Sequence, residues 1–286
     1  MENQKRENLL NLALGASEEE RLRSENLEVG YNREERTWEL IVRHFGSLDE
    51  LSEMGIRVRE LLGGYAVLTV PERLVDAVSE YSQIEYIEKP KRLFFAVNMA
   101  RTASCLSAVQ TGETGNGGPS GGGRTGSPRN LTGKGVLVAV IDSGIDYFHP
   151  DFRNPDGTTR ILYLWDQVRD EVYTKEMIDR ALEAGSSGRS AGLAVVPSVD
   201  ASGHGTAVAA IAAGNGRESR GVYRGVAYES ELLVVKLGTP LTDSFPRTTQ
   251  LMEAMDFVVR RARELGRPLS VNISFGNTYG SHEPCN

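Results

Sequence analysis

The sequence predicts two units of different class: a small α+β domain of the ferredoxin-like, split-βαβ kind, then an α/β domain built on a parallel sheet. Three observations lead there. Elements in the order β-α-β-β-α-β fill the first third of the chain. A glycine-rich stretch follows them. Beyond it strands and helices alternate, and the first strand, Val136–Ile141, is apolar without a break, as in a parallel sheet covered on both faces. The 286 residues suit one large or two smaller domains at roughly 100–200 residues each. The expected division is a helical extension (1–29), the α+β domain (30–95), a linker (96–134) and the α/β domain (135–286).

The elements follow in order. Glu2–Arg23 reads as a charged, solvated helix in which Leu10, Ala13 and Leu14 form a small apolar stripe. Thr37–Phe45 alternates, with Trp38, Leu40 and Val42 on one face, and so reads as a strand. Ser47–Met54 reads as a short helix with Ser47 as its cap and Glu50 completing a capping box. Gly63-Gly64 precedes the β-rich run Tyr65–Val70, and Pro71 suits the first turn of a helix carrying Leu74, Ala77, Val78 and Tyr81. Ile84–Ile87 is a further strand. Eight of the residues from Gly112 to Gly126 are glycine, too little apolar surface to offset the entropy of ordering them. These glycines come before a strand and lack a Gly-Lys-Ser/Thr ending, so they do not make a phosphate loop. In the last region Thr174–Ala184, His204–Ala213 and Thr249–Leu265 read as helices, and Glu231–Leu237 and Leu269–Phe275 as strands.

Composition narrows the function. Two cysteines, Cys105 and Cys285, make neither a disulfide scaffold nor a multi-cysteine zinc site, and Cys105 reads as a buried structural thiol. Residues 1–100 carry 13 Lys/Arg and 19 Asp/Glu; the rest carry 19 and 20. A nucleic-acid binder would show a basic stripe along one face, and none is evident, so no nucleic-acid partner is expected. No apolar run approaches the roughly 20 residues of a membrane span, and no secretory signal is visible at the N-terminus, so no membrane partner is expected.

Two motifs carry chemistry. Asp142-Ser143-Gly144 ends the first parallel strand, where open α/β sheets place ligand and catalytic groups, although the same tripeptide also makes an ordinary turn. Gly203-His204-Gly205-Thr206 opens the Ala-rich helix. Glycines on both sides let backbone approach and leave one imidazole edge open, and a helix N-terminus disfavours imidazolium. A general base there needs a nucleophile on one ring nitrogen and a carboxylate on the other. Gly188-Arg189-Ser190-Ala191-Gly192 has the pattern of a hydrolase elbow, but no strand precedes it, so it is read as a loop.

Together these residues resemble the subtilisin-like serine proteases. Val138–Asp146 with His149-Pro150-Asp151 is similar to that family's aspartate motif. Gly203–Thr206 with Val208-Ala209 resembles its histidine motif, and Gly225-Val226-Ala227 with Leu232–Lys236 the stretch downstream. Asn272–Gly276 resembles its substrate-binding strand. The α+β domain is similar to the family's propeptide, a folding chaperone and inhibitor. Glu88–Leu93 and the N-terminal helix look most like the clostridial Csp germination proteases. The resemblance implies that Asp142 orients the imidazole, that His204 is general base and then acid, and that Ser274, Phe275 and Gly276 line a groove for an extended peptide. It matches Asp151 to a calcium ligand, although the loop Gly214–Gly221 does not match the rest of that site. No other cofactor is implied. The partners implied are a protein or peptide substrate, such as a zymogen in spore germination, and the chain's own propeptide domain, in a cytoplasmic or spore-associated setting. Propeptide cleavage is expected between Leu93 and the linker.

One departure stands out. The family's nucleophile lies in Gly-Thr-Ser-x-Ala, beyond an oxyanion-hole asparagine, and no Gly-Thr-Ser occurs in this sequence. Loss of such a serine costs about 10⁶-fold in turnover. The α/β domain is therefore expected to be C-terminally incomplete and the chain inactive by itself. A non-catalytic pseudoprotease or binding fragment is the competing reading. A third, an aspartic protease using Asp142, would need two such aspartates sharing a proton, and only one is present.

Overall fold

The structure, a computed structural model, describes residues 5–24, 26–92, 94–95, 131–238 and 246–276. The glycine-rich stretch, Cys105, Cys285, the expected cleavage region apart from residues 94–95, and the tail 281–286 lie outside the described residues. The chain divides into two compact units, one drawn from Met1–Phe94, Thr239–Phe257 and Gly276–Asn286, the other from Phe95–Gly238 and Val258–Phe275. No helix among the described residues is long and apolar enough to cross a membrane.

The first unit has the expected ferredoxin-like order. Strand β1 (Tyr31–Asn32) precedes β2 (Thr37–His44), which is followed by β3 (Arg57–Leu61), β4 (Tyr65–Pro71) and β5 (Ile84–Glu88). All pairs are antiparallel; β2 lies between β4 and β5, and β3 pairs with β4 on its outer side. The alternation in β2 does what its pattern demands. Trp38, Leu40 and Val42 are fully buried and pack with Leu68, Val70, Val78 and Ile87 in one core.

Several local expectations need correction. The N-terminal helix is neither continuous nor solvated. It forms α1 (Asn8–Gly15) and α2 (Glu18–Arg23), with a capping box between Ser17 and Glu20 that starts the second helix. Leu10 and Ala13 of α1 are fully buried members of the core around Trp38. The capping box expected at Ser47 is absent. Helix α3 (Asp49–Glu53) has Leu48 as its N-cap, and Ser47 Oγ only accepts the Asp49 N–H at 3.0 Å. Leu48 is 1% exposed, and its burial fixes the helix start one residue later. Pro71 ends β4 rather than entering a helix; a 3₁₀ turn at Glu72–Leu74 leads into α4 (Val75–Glu80).

A two-residue strand, β6 (Phe94–Phe95), precedes the second unit's sheet. That sheet contains β7 (Leu137–Asp142), β8 (Ile161–Asp166), β9 (Glu171–Thr174), β10 (Glu231–Lys236) and β11 (Leu269–Ile273), in spatial order β11-β7-β10-β8-β9. Pairing is parallel except at β9. Every residue of β7 is buried, as its unbroken apolar run requires. The sequence reading found neither β8 nor β9. The helices are α5 (Lys175–Ala184), α6 (Arg189–Val195), α7 (His204–Ala213) and α8 (Thr248–Glu264). The elbow-like Gly188–Gly192 is no loop, because its Ser190 lies in α6. It follows a 3₁₀ turn rather than a strand, so it is no elbow either. The strand expected at 269–275 breaks at Ser274, leaving β12 as Phe275–Gly276.

Candidate active site

The site forms where β7 ends and α7 begins. The sheet carries Asp142 to the carboxyl end of its strand and buries it completely. Asp142 Oδ1 accepts the Ser143 N–H at 2.7 Å and lies 2.8 Å from His204 Nδ1. Asp142 Oδ2 is buried with no hydrogen-bond partner among the described residues. A carboxylate so placed has little to satisfy it except the imidazole, which both orients the ring and favours a proton on Nδ1. The His204 side chain keeps about 33% of its surface exposed.

Glycine makes this closeness sterically feasible. A Cβ on Gly205 would stand 2.2 Å from the Gly144 carbonyl oxygen and 3.1 Å from Asp142 Cβ. Gly203 caps the helix with φ +73, in the left-handed region that glycine enters without strain.

The sequence reading missed Asp200. Its carboxylate accepts from Ser143 Oγ at 2.8 Å, Gly203 N at 3.0 Å, Thr206 N at 2.9 Å and Thr206 Oγ1 at 2.7 Å. Ser143 Oγ in turn accepts the Gly205 N–H at 3.0 Å. Asp200 therefore ties the end of β7 to the first turn of α7 and fixes the residues on either side of the Asp142–His204 contact. Burial opposes its ionisation, but the hydrogen bonds from Thr206, Ser143 and Gly203 outweigh that and hold the carboxyl below the usual range.

Ser274 is 1% exposed and its hydroxyl donates to Asn272 Oδ1 at 2.8 Å, so its side chain turns onto its own strand. What Ser274 can offer an extended peptide is its backbone. Phe275 and Gly276 form β12.

The surroundings of Asp151 do not fit calcium. Its Oδ1 accepts the Glu218 N–H at 2.8 Å, and its carbonyl accepts from Asn215 N at 3.1 Å and Arg160 Nη1 at 3.0 Å. Arg160, 4% exposed, also donates to the carbonyls of Ala213 and Ser230. Calcium takes six to eight oxygens at about 2.3–2.6 Å. Here a guanidinium already occupies the carbonyl oxygens. No cluster of three His, Cys, Asp or Glu side chains gathers among the described residues.

Two family models match the chain. The Csp protease B prodomain family matches residues 4–91, and the Subtilase family matches residues 133–283. The serine protease AprX of Bacillus subtilis (strain 168) is 30% identical over 168 residues, covering 58% of this chain and 28% of that protein. The CspB protease of Clostridium perfringens is 40% identical over 54% of this chain and 31% of its own, with a TM-score of 0.49. Fervidolysin from Fervidobacterium pennivorans, a keratinolytic enzyme related to subtilisin, is 15% identical over 89% of this chain and 38% of its own, with a TM-score of 0.49. The chain thus spans less than two fifths of the length of each of these relatives.

Proposed function

This chain belongs to the subtilase family, and from that premise we propose that its residues supply the acid–base half of a subtilisin-type serine endopeptidase. The observation that carries the reading is the 2.8 Å contact between His204 Nδ1 and the buried Asp142 Oδ1. With Nδ1 protonated and facing the carboxylate, the neutral ring has Nε2 as its basic nitrogen. Nε2 takes the proton of a serine hydroxyl as that oxygen attacks the scissile carbonyl. Asp142 stabilises the imidazolium, and His204 then returns the proton to the leaving amine. The backbone of Ser274, Phe275 and Gly276 pairs with the extended substrate.

The serine itself is not among these 286 residues in its family motif, so the polypeptide alone is expected not to hydrolyse peptides. The match to the Csp protease B prodomain supports an intramolecular propeptide at the N-terminal side of the protease portion. We extend the proposal to a protein substrate, a zymogen of spore germination, in a cytoplasmic or spore-associated setting, as the sequence resemblance to the Csp germination proteases implies.

The test is intact mass of the native gene product after exposure to a serine-directed fluorophosphonate. One adduct on a chain heavier than 31.3 kDa, lost in His204→Ala at unchanged melting temperature, supports the reading. A product of 31.3 kDa with no adduct overturns it in favour of a non-catalytic binding protein.

A further inference from the structure

We propose that the loop 214–225, together with the cleft beside it, docks an acidic peptide segment of a partner protein. The loop follows α7 and lies at the opposite end of that helix from His204. Ten residues at 1.5 Å each place it roughly 15 Å away. A cleft of about 700 Å³ opens there, lined by Lys134, Arg160, Arg217, Arg220 and Arg224, with Glu229 the one carboxylate of its lining. The chain as a whole carries a net charge of −7, so this cluster reverses the local sign. Such a cluster of like charge draws in anionic groups.

The cations are not spent on neighbours. Lys134, Arg217, Arg220 and Arg224 are exposed and make no ion pair among the described residues. Arg217 is aimed by a bond from Nη1 to the Asn154 carbonyl at 2.6 Å, and Arg224 stacks on the Tyr228 ring at 5.0 Å. Arg160 is buried, held by backbone carbonyls rather than by a carboxylate. Burial pulls its pKa down to about 10, which leaves it charged at neutral pH.

The loop is preorganised. Gly221 N–H donates to the Gly216 carbonyl at 2.7 Å, Tyr223 N–H to Ser219 Oγ at 2.8 Å, and Gly225 N–H to the Gly214 carbonyl at 2.8 Å. Asp151 pins it through the Glu218 amide. Arg220 sits at φ +52, a left-handed conformation costly for a non-glycine residue and often found at binding sites. A rigid loop loses little entropy when it binds.

Two exposed side chains decide between a free anion and a peptide. Val222 and Tyr223 stand 72% and 75% exposed at the loop tip, between Arg220 and Arg224. A small anion has no use for them. Tyr and Arg are the residue types that dominate protein interfaces, and arginine forks suit carboxylates.

The experiment uses the 286-residue chain and a fluorescein-labelled peptide of alternating Glu and Leu, with anisotropy read from 50 to 300 mM salt. Because it measures binding alone, its failure is separate from any failure of the protease reading. We expect saturable binding that weakens steeply with salt, falls at least tenfold in Arg217→Gln/Arg224→Gln, and falls several-fold in Tyr223→Ser. Arg180→Gln, an exposed arginine on α5, should bind as the parent does, and all variants should melt with it. No saturable binding at 50 mM salt overturns the proposal, as does binding indifferent to the double variant. Full displacement by millimolar pyrophosphate, together with no effect of Tyr223→Ser, would instead assign a small-oxyanion site and equally overturn it.

Discussion

Asp200 shows how one residue outside both motifs governs the site. Its carboxyl titrates below its unfolded value, so the stability it contributes is fully present above about pH 4 and is lost as pH falls through the folded value. Asp200→Asn should cost about 1–3 kcal/mol at pH 7, since hydrogen bonds to a charged acceptor are weakened. It should also flatten the acid limb of a melting-temperature profile between pH 5 and 2.5. A parallel, unflattened profile would mean that another carboxyl carries that limb. Nothing local in Ser198–Ser202 advertises this role, because Asp200 draws its donors from β7 and α7 at once. Asp142 and His204 were legible for the opposite reason. His204 stands between Gly203 and Gly205 and Asp142 lies two residues before Gly144, so the glycines that the close approach of Gly205 to Gly144 and the left-handed Gly203 require are near each residue in sequence.

At the level of elements, legibility followed periodicity. β2 sets Trp38, Leu40 and Val42 at every second position because that face meets a core, and β7 is uniformly apolar because both faces do. β9 is only four residues long and opens on Glu171, and a short Gln167–Asp170 turn joins it antiparallel to β8, so neither shows the strand–helix alternation that marks the rest of the sheet. Two Ser-x-x-Glu sequences that each precede a helix, at Ser17 and at Ser47, make the point sharply. Only Ser17 forms the box, since nothing buried competes there, whereas at the second site burial of Leu48 decides the helix start. The apolar stripe on α1 was visible, but its destination was not, because a stripe of three residues does not say what it meets. Leu10→Ala should therefore destabilise the first unit by about 2–5 kcal/mol, as core truncations do, read as a shift in urea midpoint with an unchanged slope. A shift within 0.5 kcal/mol would place α1 outside the core.

For the molecule as a whole, the net acidic sequence conceals two buried cations among the described residues, one in each unit. Lys89 is 1% exposed and burial lowers its pKa to about 8. Between that value and the unfolded one near 10.4 the unfolded chain holds the extra proton, so stability rises as pH climbs through that window, and below pH 8 the full cost is carried. Lys89→Met should stabilise the chain at pH 7 by on the order of 1–3 kcal/mol and abolish the rise, as urea unfolding at pH 7 and 9.5 would show. A rise that persists in the variant would assign it to another group. The second buried cation, Arg160, joins Asp151, Ala213 and Ser230 through their carbonyls. A cross-tie of this kind is written into the polypeptide rather than recruited from solution. It is complete as soon as the chain folds, keeps its full occupancy at any dilution, and cannot be stripped by a chelator or starved by a scarce mineral supply.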